Sequence, residues 1–339
     1  MKPDESGVRA TTTPRSGREL PPVTPESSDW LRPLGATGLT VSAVAAGGGP
    51  LGGMPELFGY DTPEQQAVGI VRDILASPIR VIDTANGYSN GKSEERIGAA
   101  LRDAGATAEG LLVATKVDAK DGDYSGRRVL DSVAESRSRL GMDHLPLVYL
   151  HDPEYHPDAG FEKPGGAVEA LVRLRDEGVI GHLGVAGGHT PTMQRMLDLE
   201  VFEVLLTHSR LTLLDRGADD LVDRARAASL GIANAAVLGG GLLASRSARP
   251  LYGYHPARPE IIAAAAALHD LADELGVSLP DAAVQHSLRD QRIDMTVVGF
   301  SKPDRLPRLL TALRTPIPDE FWVRASELLP PPDLWLDRT

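Results

Sequence analysis

Eight short apolar runs recur along this chain at roughly 30-residue intervals, each followed by a Gly- or polar-rich loop and an amphipathic stretch of about a dozen residues. The runs are Val41 to Gly47, Arg80 to Thr84, Leu111 to Lys116, Leu145 to His151, Ile180 to Ala186, Phe202 to Thr207, Gly231 to Leu238 and Met295 to Phe300. Strands joined by crossover helices pair in parallel, so the pattern predicts an α/β fold, closed as a barrel or open as a doubly wound sheet. The count of eight favours the (β/α)8 TIM barrel. Two short runs around Gly35-Ala36-Thr37-Gly38 predict an N-terminal β-hairpin that plugs or flanks it.

The intervening stretches carry helix punctuation. Thr62-Pro63-Glu64 and Thr190-Pro191 read as an N-cap followed by a first-position proline, and Ser93 opens SEERIGAAL with acids in its first turn. Gly105, Gly141, Gly178 and Gly231 follow helical stretches, and Pro316 to Leu329 reads as one more, C-terminal helix. Residues 1–28, rich in Pro, Ser, Thr, Glu and Arg, read as a disordered tail, residues 29–330 as the barrel and residues 331–339, beyond Pro330-Pro331-Pro332, as a C-terminal tail.

Composition narrows function by exclusion. Lys plus Arg is 35 against Asp plus Glu at 47, a net charge of −12, which repels a phosphate backbone and argues against nucleic acid as a partner. The absence of cysteine removes thiolate nucleophiles, disulfides and thiolate metal sites. No signal-peptide core and no apolar run near the roughly 18 residues of a membrane span are present, so a cytoplasmic location is expected. His182, His189, His208, His255, His269 and His286 show no paired ligand spacing, and no metal is expected. Gly47 to Gly53 resembles a dinucleotide turn in glycine content, yet Pro50 interrupts it and no helix begins before about Thr62, so it reads as a flexible loop.

In a barrel the functional face lies at the C-terminal strand ends. Asp83 ends the second run with Tyr88 in its loop, Lys116 ends LLVATK, and His151 ends LVYLH. Each has a plain alternative: a turn-capping acid, a half-buried phenol, a rim cation, a core histidine. Four titratable groups at consecutive functional ends read better as one site. His208 and Arg210 after the sixth run read as strand-end packing, with the mouth as the alternative.

DTANGY followed by SEERIG, then VATK, then VYLHD resemble the Asp, Tyr, Lys and His tetrad of the aldo-keto reductase superfamily, over nearly the whole chain apart from its tails. LHDPE, RLTLLD and GGGLL are similar to its sugar-oxidising branch, which holds D-threo-aldose (fucose, galactose) 1-dehydrogenases and pyridoxal dehydrogenase. The resemblance implies an NAD(P) cofactor and a small carbonyl, alcohol or sugar hemiacetal as substrate. It implies that Tyr88 moves a proton, that Lys116 lowers its pKa by about 1 to 3 units, that Asp83 orients Lys116, and that a neutral His151 hydrogen-bonds the reacting oxygen. The cofactor would be approached by Gly48, Asp83, Gly187, Leu211, Gly239, Gly241, Gly299, Ser301, Lys302 and Arg305. Lys302 and Arg305 are placed to pair with a 2′-phosphate, with ordinary surface charge as the alternative for Lys302.

The chain departs from that pattern in two places. The usual serine and asparagine after the fifth strand are absent from Gly184-Val185-Ala186-Gly187-Gly188-His189, leaving backbone groups or His189 as substitutes. Leu211 stands where the sixth strand usually supplies an aromatic that stacks under the nicotinamide. These departures motivate a second reading, a catalytically weak nicotinamide-binding sensor or scaffold subunit. Loops at Met54 to Asp61, Tyr155 to Gly166 and Leu243 to His255 would shape the substrate pocket; oligomeric state is not legible.

Overall fold

The computed structural model describes residues 22–53, 55, 59–105 and 110–337. Residues 1–21 of the expected tail and part of the Met54 to Asp61 loop lie outside them. The first described element is a hairpin, β1 (Leu31–Pro33) paired antiparallel with β2 (Thr40–Ser42). Eight parallel strands then close a barrel: β3 (Val44–Gly47), β4 (Val81–Asp83), β5 (Leu112–Val117), β6 (Leu145–His151), β7 (Ile180–Gly187), β8 (Val204–His208), β9 (Gly231–Ala235) and β12 (Met295–Gly299). Between β9 and β12 a small hairpin forms from β10 (Leu251–Tyr252) and β11 (His255–Pro256). The run Val41 to Gly47 is thus two strands, the first serving the hairpin and the second the barrel.

Alternation along each strand fixes what lies inside. Ala45, Val81, Ala114, Leu147, Tyr149, Ala186, Val204, Leu206, Ala233, Met295 and Val297 fill the barrel, and Leu34 and Val41 of the hairpin join them from below. The hairpin is pinned beneath the strand starts by Gly35 N donating to Asp294 Oδ2 at 3.2 Å and Ala36 N donating to the Ser229 carbonyl at 2.9 Å. The opposite strand faces pack on the surrounding helices in one continuous cluster.

Helix punctuation differs from the sequence expectation at several points. Pro63 itself, extended at ψ 147°, is the N-cap of the Glu64–Leu75 helix, and the Thr62 hydroxyl makes no cap bond. His189 caps the Thr190–Leu197 helix, with Thr190 already helical, and the helix around Ser93 begins one residue earlier, at Lys92. Ser125, unremarked in the sequence, does cap: its Oγ accepts from Arg128 N. Gly105 and Gly141 end helices as expected, and Gly231 opens β9 at the start of the expected seventh run, where a Cβ would run into Leu34. The region Pro316 to Leu329 contains the Asp319–Glu327 helix.

Two segments expected as tail pack on the barrel. Val23 is buried beside Trp30 in the main core, and Glu26 pairs with Arg314. At the other end, Leu336 N donates to Asp215 Oδ2 at 2.8 Å and Asp337 pairs with Arg210 at 2.7 Å. Burial pushes the Asp215 carboxyl up to about 6 against the hydrogen bonds it accepts. Glycine-lined packing is tightest at Gly98 in the Lys92–Ala104 helix, where a Cβ would overlap the Arg139 carbonyl oxygen of the Gly126–Leu140 helix. A backbone carbonyl cannot swing aside, so Gly98→Ala is expected to cost about 1–3 kcal/mol, read as a lower urea midpoint with an unchanged slope.

Candidate active site

The strand period of two places Asp83 above Val81, Lys116 above Ala114 and His151 above Tyr149, all turned inward at the C-terminal end. The same count places His208 above Leu206. Strand-end packing was the expected reading for His208; its parity with the inward Val204 and Leu206 was the sequence signal for the mouth.

Lys116 is fully buried and its ammonium donates three bonds, to Asp83 Oδ2 at 2.7 Å, the Thr84 carbonyl at 2.7 Å and the Tyr88 hydroxyl at 3.3 Å. Tyr88 lies on a loop clamped by the Gly126–Leu140 helix. Asn86 donates to the Ser132 carbonyl and accepts from Arg128, Arg128 pairs with Glu135 at 2.8 Å, and Arg139 donates to the Asn86 carbonyl. The Arg128 guanidinium holds the Glu135 carboxyl down at about 2.

The protonation pattern differs from the expectation. Burial raises the Tyr88 phenol well above its usual range, and the Asp83, Asp152 and Asp118 carboxylates raise it further. Lys116 does not reverse this, because Asp83 already balances its charge. His151 moves the other way from a simple buried imidazole. Burial pulls it down, but Asp152 and Asp118, with the Asp118 hydrogen bond, outweigh that and raise it. A phenol held neutral thus stands beside an imidazole held toward its charged form, their rings 5.6 Å apart edge to face.

Asp118 was not found in the sequence. One carboxylate oxygen accepts from His151 Nδ1 at 2.6 Å and the other from Gly87 N at 2.6 Å, so a single side chain ties the histidine to the tyrosine loop. With Nδ1 committed to Asp118, Nε2 is the ring nitrogen left for another partner, and it lies 3.6 Å from Asp152 Oδ2. The Tyr124 hydroxyl donates to the Val117 carbonyl at 2.6 Å and accepts from His151 N at 2.9 Å, joining the two strand ends below.

The cofactor residues divide. Asp83 Oδ1 is a buried acceptor without a partner, fit to take a ribose hydroxyl. Gly299 and Arg305 line a groove of about 570 Å³ beside the last strand, with Arg308 as a second guanidinium that sequence reasoning missed. Those donors suit a nucleotide phosphate. Ser301 packs on Gln66 through its carbonyl, and Lys302 is exposed. Gly48 is held against β4, its N donating to the Asp83 carbonyl at 2.6 Å, and Gly49–Gly52 forms a 3-10 turn with Pro50 and Leu51 buried. The glycine loop is therefore pinned, not flexible. Gly239 and Gly241 take positive φ in the turn that leads toward β10.

Leu211 does not fit its expected place: its side chain belongs to the cluster between strands and helices, not to the barrel interior. Gly187 points outward toward Glu154 and Met193, and it is Gly188 that faces His208 and Arg210, where any Cβ would overlap the guanidinium. His189 Nδ1 is engaged by Thr192 of its own helix at 2.8 Å. Folding also gathers Asp152, Glu154 and His208, with one donor atom of each within 4.8 Å of the others, a cluster the helix-spacing search for metal ligands does not reach. Glu154 Oε1 in that cluster already accepts from Gly188 N and His189 N. Asp118→Asn is expected to lower the His151 pKa, since it deletes a charge and hydrogen bond that raise it; imidazole proton NMR titration of parent and variant measures this.

Residues 46–330 match the family model described as the Aldo/keto reductase family. Among curated proteins, the chain is 28% identical to pyridoxal 4-dehydrogenase of Microbacterium luteolum, covering 86% of this chain and 95% of that protein. It is 30% identical to L-galactose dehydrogenase of Arabidopsis thaliana, covering 84% and 88%, and 28% identical to D-threo-aldose 1-dehydrogenase of a Pseudomonas species, covering 88% and 97%. A solved aldo-keto reductase of Bacillus halodurans in its holo form superposes with a TM-score of 0.70 at 23% identity, over 91% of this chain and 99% of that one.

Proposed function

Because the chain belongs to the aldo/keto reductase family, whose members are NAD(P)-dependent oxidoreductases, we propose that it oxidises an aldose hemiacetal to the lactone, or reduces a small carbonyl to the alcohol, with Tyr88 as the proton carrier. The observation that carries this reading is the third bond of Lys116, spent on the Tyr88 hydroxyl after Asp83 and the Thr84 carbonyl have taken the first two. The aldose is favoured over other carbonyls by the sugar-dehydrogenase relatives. Bound, the nicotinamide supplies the hydride acceptor or donor; the protein supplies everything that handles the proton.

In reduction, the neutral Tyr88 phenol gives its proton to the oxygen while His151 Nε2–H hydrogen-bonds the same atom, an interaction that strengthens as negative charge develops there. Lys116 then faces the phenolate left behind and stabilises it. Oxidation runs the same path backwards and needs Tyr88 deprotonated first. Asp83 Oδ1, Arg305 and Arg308 are the residues assigned to hold the nucleotide, through its ribose and phosphate.

Tyr88→Phe is expected to lower kcat by about 10²- to 10⁴-fold, the usual worth of a positioned acid or base, with cofactor affinity by fluorescence quenching retained. Retained turnover of both aldoses and aldehydes in that variant would overturn the assignment. The pH profiles should have opposite slopes. Reduction is expected to hold at low pH and fall as pH rises through the elevated His151 pKa, whereas oxidation should climb toward alkaline pH, because burial and three carboxylates make the Tyr88 phenolate scarce near neutrality.

A further inference from the structure

The tetrad leaves one charged group at the mouth without a task. Asp152 follows His151 directly and sits in the left-handed region, φ 45° and ψ 53°, a conformation that Asp, Asn and Gly tolerate and most residues do not. Its backbone is held there by donation to the Ala186 carbonyl at 2.7 Å and by accepting from Tyr155 N. A residue in that position before the Pro153–Tyr155 turn would ordinarily cap it, yet the Asp152 side chain makes no cap bond. The carboxylate turns instead between two imidazoles, 3.6 Å from His151 Nε2 and 3.6 Å from His208 Nε2. Both separations exceed a hydrogen bond, so its oxygens keep acceptor capacity, and the side chain remains 29% exposed.

A roof stands over it. Gly253 and Tyr254 form the two-residue loop between β10 and β11, both with positive φ, at 57° and 69°, the geometry of a type I′ turn. A bulky residue at φ 69° is strained, and strain of this kind persists where the surroundings or the function hold it. The turn carries the Tyr254 ring to 5.3 Å from the His208 ring, edge to face, while 46% of the residue stays open to solvent.

We propose that Asp152, set between His151 and His208 under Tyr254, is a hydroxyl-binding subsite that selects substrates carrying a hydroxyl on the carbon next to the reacting one. The proposal rests on the oxidoreductase reading and adds its specificity. The reacting oxygen is met by His151 Nε2, and the adjacent carboxylate oxygen lies one contact farther along the same rim. Neighbouring oxygens on a sugar backbone are spaced to meet both at once. An ionised carboxylate accepts only, so it rewards a hydroxyl donor and offers nothing to the deoxy substrate, and in the deoxy complex it is left without a partner. Tyr254 gives the carbon face of a sugar an apolar cover.

The test compares glycolaldehyde with acetaldehyde, which differ by that hydroxyl alone, in the reduction direction with the full chain. Asp152→Gly and Asp152→Asn both suit the left-handed backbone, and cofactor binding by fluorescence reports that each is folded. The readout is the ratio of kcat/KM for the two aldehydes in each variant relative to the parent, so that hydration of the aldehydes and any change in His151 cancel. Asp152→Gly is expected to reduce the preference for glycolaldehyde by about 10- to 100-fold, the worth of one charge-assisted hydrogen bond, with Asp152→Asn between it and the parent. An unchanged ratio in both variants overturns the subsite, as does an equal fall for both aldehydes, which would mean that Asp152 acts only through His151. A parent that binds cofactor and turns over neither aldehydes nor aldoses overturns the oxidoreductase reading itself.

Discussion

Lys116 has three N–H bonds and three acceptors, and the rest of the mouth is arranged around that match. An ammonium with almost no solvent contact needs a counter-ion and a full set of hydrogen bonds, because desolvation would otherwise exceed what one ion pair returns. Asp83 gives the charge and the Thr84 carbonyl gives a second acceptor, both from the end of β4. The third falls to a phenol on the loop that follows. Geometry therefore ties the tyrosine to the lysine through the lysine's own requirement for satisfaction. That requirement explains why the loop must be rigid and why so many groups of the Gly126–Leu140 helix are spent on it. Arg128, Glu135 and Arg139 touch neither strand-end Lys116 nor the reacting atoms, yet without them the Asn86 to Gly91 turn has little to hold its positive-φ residues Ser89 and Asn90.

The same balance divides the titratable groups into two sets. Asp83 neutralises Lys116, so the cation has little influence left over to ionise Tyr88, and burial decides that the phenol stays protonated. Asp118 and Asp152 flank His151 and outweigh both its burial and the Lys116 charge, so the imidazole is drawn toward its charged form. Environments that push neighbouring groups in opposite directions let one pocket hold a neutral phenol and a charged imidazole side by side near neutral pH. The sequence reading expected Lys116, held by Asp83, to lower the Tyr88 pKa; it left out the burial of the phenol and the Asp118 and Asp152 carboxylates, which raise it.

What was legible in the sequence followed local rules. The eight runs, their parallel order and the inward phase of Asp83, Lys116 and His151 all derive from periods of two and 3.6 residues and from the loops between. The misplacements share one cause, which is that a side chain's use depends on partners far along the chain. Thr62 and Thr190 look like caps, but the N-caps are their neighbours, Pro63 after the one and His189 before the other. Leu211 was placed by resemblance, and resemblance does not say on which side of the wall a loop residue turns; its side chain joins the cluster between strands and helices. Asp118 shares the phase of Lys116, two residues beyond it, but lies just past the end of β5, where the strand period no longer fixes direction.

The segments that complete the mouth are those with the weakest sequence signals, and this has a physical basis. Strands and helices must satisfy their backbones within the repeat and so leave a periodic trace, whereas the β10–β11 hairpin and residues 332–337 are held mainly by side-chain bonds to the finished barrel. The hairpin is fixed through Tyr252, whose hydroxyl donates to the Ser209 carbonyl at 2.7 Å and meets Thr212 Oγ1 at 2.8 Å. The C-terminal segment is fixed through Asp337 on Arg210 and Leu336 on Asp215. Both anchors fall within the eight residues that follow β8, so one short loop carries the attachments of both pieces. Elements that add little buried apolar surface to a barrel are the ones able to open without unfolding it. Through Tyr254 on one and Asp337 on the other, they bound the side of the pocket where Gly188 and His208 meet.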